Sequence, residues 1–191
     1  MVETKYVLAS RSPRRLELLR SIGIECEVRP ADIDETPLES EDPIQYVLRL
    51  AREKAQRAAR GAAANEIVIG ADTTIDLDGQ IIGQPVDAED AAAILHRLSG
   101  RSHFVHTGVA IIYAKTGIPY DTVVSSEVTF RELSEDDVRT YVASGEWEGK
   151  AGGYAIQGEG RGLVAELLGS LNAVIGLPVE HLETLLVPYE D

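Results

Sequence analysis

A two-residue turn at Asp78-Gly79 constrains the fold more than any other feature of this sequence. An Asp-Gly pair favours the tight turn that joins two antiparallel strands, and here the turn leads into Ile81-Ile82. The continuous apolar run over residues 67–71 is typical of a strand that is buried on both faces. Because the turn requires antiparallel pairing, a purely parallel sheet is excluded and we expect a mixed one.

Signals for helices alternate with signals for strands along the rest of the chain. Ser12-Pro13 and Asp42-Pro43 each place an N-cap residue before a proline at the first helical position. The length of 191 residues suits one domain, and no linker-like stretch divides it. We therefore predict an α/β fold, a mixed sheet flanked by helices, with residues 1–191 as a single domain. Further predicted elements are strands over residues 102–113 and 123–130 and helices that start near residues 87, 134 and 178.

The charge balance limits the partners of the protein. Lys and Arg number 18 against 32 Asp and Glu, so the formal net charge is −14. Such a molecule repels nucleic acid, whose phosphates are neutralised by basic stripes in the proteins that bind it. The single cysteine, Cys26, suits a reducing cytosol. Since there is neither a signal-peptide pattern nor an apolar run of membrane-spanning length, we expect a cytoplasmic protein without membrane contact.

Three arginines stand close together between a short apolar strand, predicted over Tyr6 to Ala9, and the first predicted helix. They lie in the segment Ser10-Arg11-Ser12-Pro13-Arg14-Arg15. A helix N-terminus offers unpaired N–H groups and the positive end of the helix dipole, and guanidinium groups match the geometry of phosphates. The segment therefore predicts a phosphate-binding site. The alternative is an exposed turn whose arginines pair with surface acids.

Two acidic positions are candidates for holding Mg²⁺ against such phosphates. Asp72 lies where the buried strand emerges, and Glu35 lies in an acidic loop over residues 32–37. Carboxylates that leave ligand positions open to water and phosphate are typical of magnesium sites. The alternatives are a strand-end cap for Asp72 and a solvated loop for Glu35. Lys54 lies at the border of the apolar stripe of the second helix, where the spacing favours an exposed side chain over contact with a phosphate.

A glycine-rich segment over residues 149–158 has neither the Walker spacing nor the dinucleotide-binding fingerprint. Within it, Gln157 carries an amide that can donate and accept at once, among small and apolar neighbours. The histidines form no metal signature, since His103 and His106 would point to opposite faces of one strand. Gln157 is therefore the polar group that we single out in this segment.

Six ordered motifs carry a resemblance to a known family. They are Ala9-Ser10-Arg11-Ser12-Pro13-Arg14-Arg15, Gly70-Ala71-Asp72-Thr73, Leu98-Ser99-Gly100, Thr107-Gly108-Val109, the segment from Lys150 to Gly158, and Gly176-Leu177-Pro178. In their order and spacing, from about residue 6 to residue 187, they resemble the Maf family of nucleoside triphosphate pyrophosphatases. The motif with Gln157 is similar to that of the subfamily acting on dTTP and UTP rather than on 7-methyl-GTP.

This resemblance implies a fold like that of the inosine triphosphate pyrophosphatases, with a deep cleft between two lobes. It implies that a nucleoside triphosphate is hydrolysed to its monophosphate and pyrophosphate with a divalent cation, Mg²⁺ or Mn²⁺. It also implies a homodimer. Two other functions are weighed against it: a nucleotide-binding regulator of cell division, and a pyrophosphatase for modified purine nucleotides such as 7-methyl-GTP. A pure sensor has no use for a water-activating carboxylate, so Asp72 and Glu35 favour the enzyme.

The resemblance also assigns roles to individual positions. Asp72 matches the proton acceptor of the family. The positions associated with substrate choice are matched by Arg14, Thr73 and Gln157. The residues expected to line the phosphate and metal site are matched by Ser10, Arg15, Glu35 and Lys54. Which of Glu35 and Asp72 takes the proton and which binds the metal stays open, because both tasks suit both carboxylates.

Two details qualify the expected substrate contacts. Gln84 stands where many members of the family have a lysine, which removes a charge-assisted hydrogen bond worth about 1.5 to 3 kcal/mol if that position contacts phosphate. Lys150, which we count among the substrate-binding residues, or Arg11 would then supply the cation. The amide of Gln157 selects uracil or thymine only if a neighbour, Thr73 or a backbone group, holds its orientation.

Overall fold

The computed structural model describes residues 3–186, apart from the side chains of residues 183–185, and contains one seven-stranded sheet. Its strands are β1 (Lys5–Leu8), β2 (Cys26–Val28), β3 (Glu66–Leu77), β4 (Gln80–Ile82), β5 (Ser102–Tyr113), β6 (Pro119–Phe130) and β7 (Val164–Leu168). Across the sheet the order is β2-β1-β3-β5-β6-β7, and β4 pairs with β3. β1 runs parallel to β2 and β3, whereas the other pairs are antiparallel. The mixed sheet is confirmed, and Asp78 and Gly79 have the positive φ angles, 57° and 79°, of the predicted turn.

Helices flank this sheet, as expected. They are α1 (Pro13–Ser21), α2 (Pro43–Ala59), α3 (Ala88–Leu98), α4 (Glu135–Ser144), α5 (Leu171–Ile175) and α6 (Val179–Leu185), and two short 3₁₀ segments cover Ala151–Gly153 and Gly158–Leu163. The side chains of Asp42, Asp87 and Ser134 accept backbone N–H groups at the starts of α2, α3 and α4. Ser12 takes the N-cap position of α1 without such a bond.

One edge of β3 is open over five residues. β1 pairs with β3 along Glu66–Ile69 and β4 pairs with it along Ile75–Leu77, while β5 pairs with the opposite edge from Ile67 to Asp76. Within the part of the chain that the structure describes, residues 70–74 therefore have no strand beside them on the β1 side. The prediction that Asp72 ends a strand is wrong, because β1 ends there and β3 continues through the gap.

Two glycines let α2 lie very close to the sheet. A Cβ atom at Gly70 would stand 2.3 Å from the carbonyl oxygen of Ala51, and one at Gly108 would stand 2.5 Å from that of Val47. Both distances are impossible for a real side chain, so the sequence needs glycine at these two neighbouring positions. The close approach fixes the helix axis over the middle of β3 and β5.

The opposite face of the sheet carries two apolar cores. One gathers around α1 and α6 and includes Leu19, Ala71 and Leu182, and the other gathers around α3 and α4 and includes Ile75 and Leu95. The change from one core to the other falls at the level of the open edge. These cores correspond to the two expected lobes, and the gap in the sheet lies between them.

Candidate active site

A cleft of about 730 Å³ opens along the gap in the sheet. All nine residues that the sequence singled out for the site line it: Ser10, Arg14, Arg15, Glu35, Lys54, Asp72, Thr73, Lys150 and Gln157. They come from five separate segments of the chain, so only the fold brings them together. Because consecutive strand residues point to opposite faces, Asp72 faces α2 whereas Thr73 faces α1 and α5. The cleft thus wraps around the open edge of β3.

Lys54 joins the two candidate carboxylates. Its Nζ lies 2.6 Å from Oδ1 of Asp72 and 2.8 Å from Oε1 of Glu35. The side chains of Lys54 and Asp72 are only 9% and 10% exposed, whereas that of Glu35 is 50% exposed. The prediction of a solvent-facing Lys54 is wrong, because the close approach of α2 at Gly70 directs the lysine into the cleft. A cation here balances two acids that would otherwise repel each other.

The environment of Asp72 favours its acting as a base. Burial raises the pKa of the Asp72 carboxyl, and the cations of Lys54 and Arg15 oppose that rise. A carboxylate that has lost most of its water holds a proton more tightly than an exposed one. Such a group takes a proton from water more readily than a surface aspartate does.

The loop that carries Glu35 is tied to α2. The phenol of Tyr46 donates to the carbonyl oxygen of Glu35 at 2.9 Å, and Arg49 donates to that of Thr36 at 3.2 Å. Arg49 also forms a two-pronged ion pair with Glu41, at 2.6 and 2.8 Å. The backbone of Glu35 is therefore fixed while its carboxylate stays half exposed, which leaves the side chain free to turn toward a ligand.

The two carboxylates fit a hard divalent cation. Both place one oxygen against the Lys54 ammonium, so the two carboxylates lie close together, on either side of one cation. Among the side chains that the structure describes, there is no group of three or more His, Cys, Asp or Glu that could enclose a metal. Two carboxylates with the remaining positions open to water and phosphate match the coordination that Mg²⁺ adopts beside nucleotide phosphates.

Arg15, on α1, connects the end of β1, the open edge of β3 and the residue that follows α5. It donates from Nε to the carbonyl oxygen of Gly176 at 2.8 Å, from Nη1 to Oγ of Ser10 at 3.2 Å and from Nη2 to Oγ1 of Thr73 at 3.1 Å. Burial lowers the pKa of this guanidinium. Oγ of Ser10 also accepts the N–H of Ser12 at 3.1 Å. Because both of its lone pairs are occupied, the Ser10 hydroxyl has only its proton to offer a ligand.

Two other cations face the cleft without a carboxylate partner. Arg14 makes no hydrogen bond or ion pair with any residue in the described range 3–186, and Lys150 donates only to the carbonyl oxygen of Glu148, at 3.1 Å. Burial and the nearby charge of Arg14 lower the pKa of Lys150. Arg11 differs, since it pairs with Asp32 at 2.8 Å on the surface. The surface-pairing alternative thus holds for Arg11, and the repulsion between Arg14 and Lys150 favours an anion near them.

Gln157 is exposed at the mouth of the cleft. The 3₁₀ segment after it is held by Glu146, which accepts the N–H groups of Glu159 and Gly160 at 3.1 and 2.8 Å. No hydrogen bond within residues 3–186 holds the amide of Gln157 itself. The expected partner, Thr73, is bonded elsewhere. The structure therefore leaves the Gln157 amide free to rotate.

Sequence reasoning gave no site role to two residues that contact the site from behind. The carbonyl of Gly176 holds Arg15, and the hydroxyl of Thr107 lies 2.8 Å from that of Thr73. Both residues belong to the six motifs that carry the family resemblance. A carbonyl group of the backbone that accepts a hydrogen bond, however, cannot be recognised from the sequence. Thr107 can be recognised, as a polar residue at an inward position of an apolar strand.

Comparison with known proteins places this arrangement in a structural class and then in a family. The fold is that of the Ham1 proteins: the chain superimposes on a HAM1 protein from Coxiella burnetii with a TM-score of 0.53 and 19% identity, over 96% of this chain and 98% of that one. This confirms the expected inosine triphosphate pyrophosphatase-like fold. The chain belongs to the Maf family, since the family pattern described as Maf-like protein matches residues 5–188.

Relatives with curated names are similar over nearly their whole length. A dTTP/UTP pyrophosphatase of Anaeromyxobacter dehalogenans (strain 2CP-C) is 47% identical over 95% of this chain and 92% of its own. A dTTP/UTP pyrophosphatase of Dechloromonas aromatica (strain RCB) is 48% identical over 92% of each chain. Separately, no helix within residues 3–186 is both long and apolar enough to cross a membrane.

Proposed function

We propose that this protein is a nucleoside triphosphate pyrophosphatase that prefers dTTP and UTP. The observation that carries the proposal is the buried Lys54–Asp72 pair, with Glu35 beside it, in a cleft that Arg14, Arg15 and Lys150 also line. A carboxylate with raised proton affinity next to unpaired cations suits water attack on a polyphosphate. The names of the relatives in Anaeromyxobacter and Dechloromonas favour dTTP and UTP over 7-methyl-GTP.

The proposed reaction is a single displacement at the α-phosphorus. Asp72 accepts a proton from a water molecule, whose oxygen forms the new bond to phosphorus. The bond from phosphorus to the bridging oxygen breaks, and pyrophosphate leaves with that electron pair. Lys54 and Arg15 stabilise the negative charge that grows on the phosphate oxygens. The products are the nucleoside monophosphate and pyrophosphate, and no covalent intermediate is required.

Glu35 and Asp72 are the residues that would hold a divalent cation, Mg²⁺ or Mn²⁺. Such an ion would neutralise phosphate charge and make bound water more acidic. Glu35 is suited to the metal because half of its side chain is exposed. The more deeply buried Asp72 is suited to the proton. We therefore propose Glu35 as the main metal ligand and Asp72 as the proton acceptor, which can also touch the same cation.

The remaining substrate contacts follow from what each group has left to offer. Ser10 donates its free proton to a phosphate oxygen, and Arg14 and Lys150 provide cations without carboxylate partners. We place the polyphosphate along α1, where Ser10, Arg14 and Arg15 lie. We place the base towards Thr73 and Gln157, two of the positions that the resemblance associates with substrate choice.

Three further parts of the proposal come from the family resemblance and the composition. The chain acts as a homodimer, which light scattering of the purified protein tests. The whole of residues 1–191 forms one domain, a view that the match over residues 5–188 supports. The enzyme works in the cytoplasm on nucleotides, not on nucleic acid or membranes, in keeping with its single cysteine and net charge of −14.

The deciding experiment is product analysis with a panel of nucleotides. The protein is incubated with each common NTP, dTTP and 7-methyl-GTP in the presence of Mg²⁺ or Mn²⁺, and nucleotides and pyrophosphate are separated. We expect UMP or dTMP together with pyrophosphate in equal amounts. Release of orthophosphate and a diphosphate, preference for 7-methyl-GTP, or tight binding without turnover would each overturn the proposal.

A further inference from the structure

Two threonines face each other on a largely apolar face of the sheet. Thr73 on β3 and Thr107 on β5 are directly opposite each other. Along β3, Ala71 on one side of Thr73 belongs to one apolar core and Ile75 on the other side belongs to the second. Thr107 has 0% exposure. A polar pair at the junction of two cores must satisfy its hydrogen bonds within the protein, so the directions of those bonds can be worked out.

The donor and the acceptor of each hydrogen bond follow from the last acceptor in the series, the carbonyl oxygen of Ala173. Oγ1 of Thr107 lies 2.7 Å from the carbonyl oxygen of Ala173, which can only accept, so Thr107 donates its one proton there. Thr107 therefore accepts in its 2.8 Å contact with Thr73, and Thr73 is the donor. The Thr73 oxygen in turn accepts from Nη2 of Arg15 at 3.1 Å. One lone pair is all that Thr73 has left for a ligand in the cleft that it lines.

We propose that Thr107 is a positioning residue that fixes Thr73 as a hydrogen-bond acceptor and thereby makes the cleft select uracil and thymine over cytosine. The inference rests on the proposed function. At ring position 3, uracil and thymine carry an N–H donor, whereas cytosine carries a lone pair. A fixed acceptor at Thr73 accepts a hydrogen bond from the N–H of uracil or thymine, whereas it repels the lone pair of cytosine.

Because the Gln157 amide is free to rotate, a fixed acceptor at Thr73 is needed to distinguish uracil from cytosine. An amide that can rotate presents its oxygen or its nitrogen, so it serves the O4 of uracil and the N4 amino group of cytosine equally well. Because no bond within residues 3–186 holds that amide, Gln157 alone does not distinguish the two bases. Thr73 does, provided that Thr107 keeps its hydroxyl turned away.

The test is the ratio of kcat/KM for UTP to kcat/KM for CTP. In Thr107→Val the hydroxyl of Thr73 is released and can donate to N3 of cytosine. We expect the ratio to fall by about 10-fold or more, within the roughly 5- to 150-fold range that one mispaired hydrogen bond produces. Thr107→Ser keeps the hydroxyl and should retain the wild-type ratio.

Thr129→Val is the matched control, because Thr129 also shares a hydroxyl contact, 2.7 Å to Ser102, between neighbouring strands but lies outside the cleft. It should leave the ratio unchanged. If Thr107→Val slows both substrates equally, Thr107 is merely structural and the inference is overturned. Should the valine variant fail to fold, Thr107→Cys takes its place, because a thiol is small and is only a weak donor and acceptor. The ratio for UTP over CTP should fall in this variant too. A wild type that turns over neither nucleotide would instead overturn the proposed function itself.

Discussion

The ammonium group of Lys54 and the carboxylate of Asp72 form a buried ion pair, 2.6 Å long, that joins α2 to the middle of β3. A buried pair is weak evidence of stabilisation, since removing two charges from water costs about as much as their attraction returns. Its position at the open edge of the sheet, beside Glu35, points to chemistry instead. Substitutions at single residues of the cleft can separate that chemistry from the fold.

Replacing Asp72 by asparagine should abolish turnover while the protein stays folded. The amide keeps the shape of the side chain but cannot accept the proton, so we expect kcat to fall by a factor of about 100 or more. Asp76→Asn is the matched control, because Asp76 lies on the same strand and face but outside the cleft. Near-wild-type turnover in a folded Asp72→Asn protein would contradict the proposed base.

Replacing Lys54 by methionine should move the pH dependence of the reaction. Burial raises the pKa of Asp72 and Lys54 opposes that rise, so losing the lysine raises the pKa further. The acidic limb of the profile of kcat/KM against pH should therefore shift to higher pH. Lys5→Met, at an exposed lysine, should leave the limb in place. A limb that does not move in Lys54→Met would show that Asp72 is not the group that titrates.

Replacing Arg14 by alanine should weaken nucleotide binding. A charge-assisted hydrogen bond to phosphate contributes about 1.5 to 3 kcal/mol, so the KM for UTP should rise roughly 10- to 150-fold. Arg60→Ala removes an exposed arginine at the end of α2 and should have no such effect. Equal KM values for the two variants would place the polyphosphate away from α1.

Replacing Gln84 by lysine should strengthen binding if that position faces the phosphates. Gln84 lines the cleft and is exposed, so a lysine there can reach a bound anion. We expect a lower KM or a higher kcat. Unchanged kinetics in this variant, together with loss of activity in Lys150→Ala, would show instead that Lys150 supplies the cation.

His103 should make the protein lose stability as the pH falls. Its ring is buried between Phe130 and Tyr154, and burial lowers its pKa to about 4 from 6.5. Because the unfolded chain binds this proton first, the stabilisation present above pH 6.5 is lost as the pH falls towards 4, a change of about 3 kcal/mol. The free energy of unfolding measured at several pH values should fall less steeply in His103→Gln. His96→Gln, at a half-exposed histidine, should keep the wild-type slope.

Local chemistry determined the parts of the structure that the sequence predicts well. The turn at Asp78-Gly79 and the caps at Asp42 and Ser134 depend on a few neighbouring residues, and all three are confirmed. The strand predicted from residue 123 begins earlier, at Pro119, because pairing with β5 extends it beyond its own apolar run. α5 has only five residues, too few for a visible periodicity.

The site was harder to predict because it depends on contacts between distant segments. Lys54 has the spacing of an exposed lysine, and only the approach of α2 at Gly70 and Gly108 places it against Asp72. Asp72 has the position of a strand end, yet the strand continues while its neighbour β1 stops. Periodicity along one segment carries no information about how closely α2 approaches the sheet or about where the neighbouring strand β1 stops.

The open edge of β3 also bears on how the molecule behaves at high concentration. An unpaired strand edge is a template for another chain, and natural proteins protect such edges with charge or proline. Residues 70–74 lie beside a group of cations that includes Arg14, Arg15 and Lys150, with Pro13 among them. Insertion of a second molecule's strand would bury Arg14 and Lys150 without carboxylate partners. We therefore expect the groups that attract a polyphosphate also to disfavour edge-to-edge association, so that their removal would favour such association as well as weaken substrate binding.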